Sequence, residues 1–248
     1  MAWQAFDRAA DRTCRVTPAV PILFFGDLDA YRTSPLRVVT VGLNPSRKEF
    51  PAGEPFRRFP LAEGSRDREG PSYLDAMSAY FHTDPYRGWF NAFEPLLNGM
   101  ETSFYAGVGD ASTALHTDIC SPIATDPTWN DLDKADQAAL MDHGRPLWRA
   151  LLEELRPQIV VLSVRKEYLD HIEFAPITNW EVIHTFRRTS NGDFRRKPYE
   201  VCARWYEVAG ELSLFLFGAA AQTPFGKLAA AQKREAGEML LKEHQDGR

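Results

Sequence analysis

The 248-residue chain is 44% hydrophobic and 12% aromatic with six tryptophans, which excludes a disordered protein and suits one sizeable core. A net charge of −5 excludes a global basic field, so any nucleic-acid contact has to come from a local patch. Cys14, Cys120 and Cys202 form neither a CxxC pair nor an even disulfide set, so a reducing cytoplasm is expected and no metal or other cofactor is implied.

Residues 2–15 read as helical, within an N-terminal helical decoration over 1–20, and carry no apolar run of signal-peptide length. Ile22 to Asp27 reads as a short strand or turn. The segment Leu36 to Ser46, LRVVTVGLNPS, is the most informative. Val38, Val39 and Val41 predict a strand buried on both faces. Gly42 and Pro45 end it in a tight turn that holds Asn44 at the strand's carboxyl end, where open α/β sheets place their ligands. Asn44 is neutral and both donates and accepts, so it orients a water rather than deprotonating one. Its plainer reading is an ordinary turn former.

Arg47 to Pro71 reads as a loop rich in Pro, Gly and Arg. Helical patterning follows from Ser72 to Phe81 and through Trp89, Phe90, Phe93, Leu96 and Leu97, an aromatic set read as core. A second strand is expected from about Thr113 to Ile119. Leu132 to Leu155 reads as a helix, with Asp131 as N-cap and Pro157 closing it. Gln158 to Val164 is the clearest buried strand, followed by a short helix at 165–172 and a fourth strand from Trp180 to His184. Tyr199 to Phe217 reads as a strongly apolar helix, and Leu212 to Ala221 is too short to span a bilayer. Residues 222–248 read as an amphipathic helix with balanced charge and no nucleic-acid role. The alternation predicts an α/β fold, a three-layer α/β/α sandwich around a central, mainly parallel four-stranded sheet, with one domain over 1–221.

Four features converge on one edge of such a sheet: Asn44; Phe56, fourteen residues beyond Gly42; His116-Thr117-Asp118-Ile119-Cys120; and His184-Thr185-Phe186-Arg187-Arg188. In their order and spacing, over about Leu36 to Arg196, they resemble the uracil-DNA glycosylase superfamily, in particular its mismatch-specific and single-strand-selective branches. The resemblance implies an enzyme that hydrolyses the N-glycosidic bond of an extruded base and leaves an abasic site, without a cofactor. Carried over, Asn44 positions the attacking water and His184 supports the leaving base, while Gly42, Phe56 and Asp118 bind the base, Phe56 by stacking on it and Asp118 by reading its Watson–Crick edge. The implied partner is DNA, single- or double-stranded, bound by a monomer, with no membrane involved.

Two departures shape the expected substrate. Asp118 stands where uracil-specific members carry Asn, and a carboxylate only accepts, so it suits a 4-amino group and opposes uracil O4. A cytosine-type or 5-modified cytosine base, of the kind some phage DNA carries, is therefore the expected target, with a role in antiviral defence. His-Thr-Phe-Arg-Arg at 184–188 also replaces the family's usual His-Pro-Ser-Pro, which implies a differently shaped minor-groove loop. Arg187, Arg188, Arg195, Arg196 and Lys197 form the candidate phosphate-contacting patch.

Each residue also has a plainer reading. Phe56 fits a core aromatic, Asp118 a salt-bridged carboxylate, His184 a half-buried strand histidine, and the arginine run a solvated face. Three other functions stay open. His116 and Asp118, joined by His184 or Asp126, could make a metal hydrolase; the chain could bind nucleic acid without catalysis; or it could be a base- or nucleotide-level hydrolase that never meets a polymer.

Overall fold

A computed structural model describes residues 1–63, 68, 70–105 and 112–247. Helices α1 (Ala2–Arg8) and α2 (Leu28–Thr33) precede strand β1 (Val38–Gly42). Helices α3 (Pro71–Ser78), α4 (Arg87–Phe90) and α5 (Glu94–Asn98) follow, then strands β2 (Thr102–Ser103), β3 (Ser112–Thr113) and β4 (Leu115–Asp118). Helix α6 (Lys134–Leu155) leads to β5 (Ile159–Leu162), β6 (Ala175–Pro176), β7 (Glu181–Arg188), β8 (Phe194–Val208), β9 (Glu211–Gly218) and helix α7 (Ala230–Asp246). Within the Arg47 to Pro71 loop, 3-10 turns form at Arg47–Glu49 and Pro60–Ala62, while residues 64–67 and 69 lie outside the described residues.

The architecture corrects the expected four-stranded, mainly parallel sheet and the sandwich built on it. The main sheet has seven strands of mixed direction, in the order β4-β1-β5-β9-β8-β6, with β7 also paired to β8. Strands β4, β1, β5 and β9 are mutually parallel. Strands β6, β7 and β9 all pair antiparallel with β8. The segment expected as a fourth core strand belongs to β7, outside the parallel set. The segment expected as an apolar helix, Tyr199 to Phe217, is instead the β8–β9 hairpin.

The physical reason for the second correction is legible in the burial pattern. Along β8, Tyr199, Val201 and Ala203 are buried while Glu200 is exposed and Cys202 half-buried, the period of two that a pleated strand imposes. Ala209 and Gly210 then take φ of 51° and 79°, the double positive φ of a type I′ turn, which joins two antiparallel strands directly. A helix would have needed period 3.6 and no such turn.

Strands β1 and β5 are buried along their whole length, as their β-branched runs require. Helix α6 lies against β4, where Trp148 Nε1 donates to Thr117 Oγ1 at 3.1 Å. Asp133, two residues after the expected cap, accepts from Asp136 N at the start of α6. Among the described residues no helix is long and apolar enough to cross a membrane.

Candidate functional site

The register of the sheet aligns the relevant residues in one row. Gly42 pairs with Asp118, and one step earlier Val41, Leu162 and Phe217 lie side by side. Gly218 therefore stands level with Gly42 and pairs with Val201, which pairs with His184. The row marks the carboxyl edge of the four parallel strands.

At the β1–β4 end of this row the chain packs closely. A β-carbon on Gly42 would stand 2.5 Å from Asp118 Oδ1 and 3.1 Å from His116 Nε2, so only glycine lets that carboxylate lie over the strand end. His116 Nε2 is 3.7 Å from Asp118 Oδ1, and its Nδ1 is 2.7 Å from Thr40 Oγ1. The His116 ring sits among Phe25, Phe90, Phe93 and Phe104, and the Asp118 side chain is 5% exposed.

The turn after β1 is held by the chain leaving β4. Ile119 N donates to Gly42 O, Cys120 N to Leu43 O, and Thr125 N to Pro45 O. Asn44 Nδ2 donates to Ile123 O at 3.2 Å and to Thr125 Oγ1 at 2.9 Å. Both amide hydrogens are thereby engaged, which orients the group; Oδ1, its other polar atom, can only accept.

Sequence reading did not single out Glu49. It lies in the 3-10 turn after Asn44 yet is only 4% exposed, and Tyr80 Oη donates to its Oε2 at 2.5 Å. Tyr80 Oη in turn accepts from Tyr86 N at 2.9 Å. Burial pushes the Glu49 carboxyl up to about 7; the Tyr80 hydrogen bond and the Arg58 guanidinium oppose the rise, and the Asp118 charge adds to it. The Glu49 and Asp118 carboxyl groups thus feel each other electrostatically. Phe56 is half-buried, its ring edge-on to Phe50 at 6.3 Å, while Phe50 stacks on buried Phe59 at 5.4 Å.

His184 is not gathered into this cluster by the sheet: β5, β9 and β8 stand between its strand and β1. Its Nε2 lies 3.2 Å from Glu235 Oε1 on α7, and its ring packs on Phe186 at 4.4 Å. The loop that leaves the parallel set next to β5 is instead the one after β9, fastened where Phe225 N donates to Ser163 Oγ at 2.9 Å.

The basic run forms the outer part of the β7–β8 hairpin. Arg187, Arg188, Arg196 and Lys197 are exposed. Arg195 is used within the fold: its Nε donates to Arg188 O, and its Nη2 to Lys227 O and Gln232 Oε1. As for a metal, Asp126 is tied to Arg47 at 2.7 Å, and among the described residues no three His, Cys, Asp or Glu side chains gather as ligands. Protein-family models, curated proteins and solved structures yield no match to this chain.

Proposed function

We propose that the chain is a monofunctional DNA glycosylase of the uracil-DNA glycosylase type, acting on a cytosine-type or 5-modified cytosine base. The observation that carries the reading is the Asn44 amide, fixed by Ile123 and Thr125 only two residues beyond the Gly42–Asp118 contact. It supplies a positioned acceptor for water at the same strand end as a carboxylate suited to a 4-amino group, at the edge of the sheet that the basic hairpin also occupies.

In this reading a water held by Asn44 Oδ1 bonds through its oxygen to C1′ of the extruded nucleotide. The C1′–N bond breaks with its electron pair going to the base, and the water's proton passes to solvent or the departing base. Such a step needs positioning and preorganised dipoles more than a strong nucleophile. Asp118 accepts from the exocyclic amine, and Phe56 offers a half-exposed ring to the base. His184 is left outside the reacting groups, as its pairing with Glu235 suggests. A monomer acting in the cytoplasm on phage or damaged DNA fits this chemistry.

The test is strand cleavage by alkali after incubation with oligonucleotides carrying uracil, cytosine or 5-substituted cytosines. Abasic product from wild type and its loss in Asn44→Ala support the reading. No product from any base, or equal product from Asn44→Ala, overturns it.

A further inference from the structure

The β7–β8 hairpin reaches well past the edge that holds the site. The last β8–β9 pair is Val201 with Gly218, level with Gly42, and β8 begins at Phe194. Residues 194–200 therefore overhang the carboxyl edge by about 20 Å at extended rise. The end of the overhang is shaped by Phe194, which is 73% exposed, the most exposed large hydrophobic side chain among those described. Arg188, its register partner, lays its guanidinium over one face of the ring at 3.8 Å from the centroid. Arg188 Nη1 also donates to Gly192 O, which ties the stacked pair to the turn.

Alternation sorts the hairpin into two faces. Arg195, Lys197 and Tyr199 share one face, on which Arg195 bonds Gln232 of α7; His184 of β7 pairs with Glu235 of the same helix. Phe194 and Arg196 point the other way and are both exposed. The outward face so combines a ring braced on one side, open on the other, with guanidinium groups beside it. In a chain of net charge −5, this is a localised cationic surface rather than part of a general one.

We infer that this overhang is a docking ribbon for single-stranded DNA, on which Phe194 stacks with an unpaired base while Arg187, Arg188 and Arg196 hold the phosphates. A solvent-exposed aromatic braced by arginine matches a base's π-face, and the flanking cations match the spaced phosphates of a strand. A duplex keeps its bases stacked on one another and offers the ring no face. The inference rests on the base-excision reading only for where the strand leads, since the ribbon's own binding is separate from catalysis.

The experiment is fluorescence anisotropy with labelled twenty-residue polythymidine and with a blunt duplex of the same length, using the full chain. Wild type should bind the single strand at least about tenfold more tightly than the duplex. Phe194→Ala should weaken single-strand binding by on the order of tenfold, and Phe194→Trp should retain it, as stacking is typically worth that much per base. Arg196→Glu should weaken binding and flatten its salt dependence. Unchanged melting temperature in these exposed-site variants separates lost contact from lost folding. Equal or tighter duplex binding, wild-type binding by Phe194→Ala, or tighter capture by phosphatidylserine vesicles than by polythymidine would overturn the inference. Phe194-dependent strand binding without any abasic product would leave the ribbon standing and remove the glycosylase reading; abasic product without such binding would do the reverse.

Discussion

The Asp118 carboxylate lies against the α-carbon of Gly42, so close that a methyl group there would stand 2.5 Å from Oδ1. Strand β1 thus ends in glycine for space rather than for backbone freedom. This contact ties the turn that carries Asn44 to Asp118, the residue proposed to distinguish one base from another.

Gly42→Ala should consequently displace Asp118 and His116 together. The expected cost is about 1–3 kcal/mol of stability, the usual range for an added carbon in a packed site. Base excision should fall more than tenfold, beyond what the stability loss accounts for. Urea denaturation together with initial rates of abasic-site formation checks both, and wild-type rates in a folded Gly42→Ala protein would contradict the packing argument.

Glu49 makes stability depend on pH in a defined direction. Its folded carboxyl titrates near 7 because of burial, above the 4.5 of an ordinary glutamate. The folded state binds this proton more tightly than the unfolded chain, so the stabilisation is complete below about 4.5 and is lost as pH rises through about 7. The upper bound on that loss is about 3 kcal/mol. Urea midpoints at pH 5, 6, 7 and 8 should fall in wild type and stay flatter in Glu49→Gln, which keeps an acceptor for Tyr80. Parallel pH curves for the two proteins would show that Glu49 is not the source.

Much of the sheet's parallel half was legible because its signals are local. Val38 to Val41 is a β-branched run broken only by Thr40, Ile159 to Leu162 is a continuous apolar one, and short runs of this kind bounded by turn residues form buried strands. The β8–β9 hairpin was not, since Trp205, Tyr206, Leu214 and Phe215 are apolar enough to mask the period of two. Its turn also uses Ala209 where Asn would have announced a hairpin. Glu49 was missed for a different reason: it sits among Arg47, Lys48 and Arg58 in a polar loop, and its burial involves partners from distant segments such as Tyr80. The neighbouring aromatics at 50, 56 and 59 were the one signal that this loop folds inward.

The same turn yields a stability prediction. Ala209 holds φ of 51°, a conformation that asparagine tolerates better than alanine. Ala209→Asn should raise stability by about 0.5–1 kcal/mol, read as a higher thermal midpoint with unchanged activity. A lower midpoint would argue against the type I′ hairpin.

His184 tests the separation between sheet position and chemistry. Its imidazole pairs with Glu235 and packs on Phe186 rather than joining Asn44. His184→Ala should leave the single-turnover excision rate within about threefold of wild type while lowering the melting temperature, because it loosens α7 from β7. A loss on the order of a hundredfold in rate, without a change in melting temperature, would return His184 to the reacting groups.

The most direct measurement of the central claim is base preference in Asp118→Asn. An asparagine amide both donates and accepts, and so matches uracil where the carboxylate matches a 4-amino pyrimidine. Alkali cleavage of matched oligonucleotides should show wild type releasing a cytosine-type base over uracil and Asp118→Asn reversing that order. No abasic product from wild type on either base, or an order unchanged by the substitution, would contradict the account.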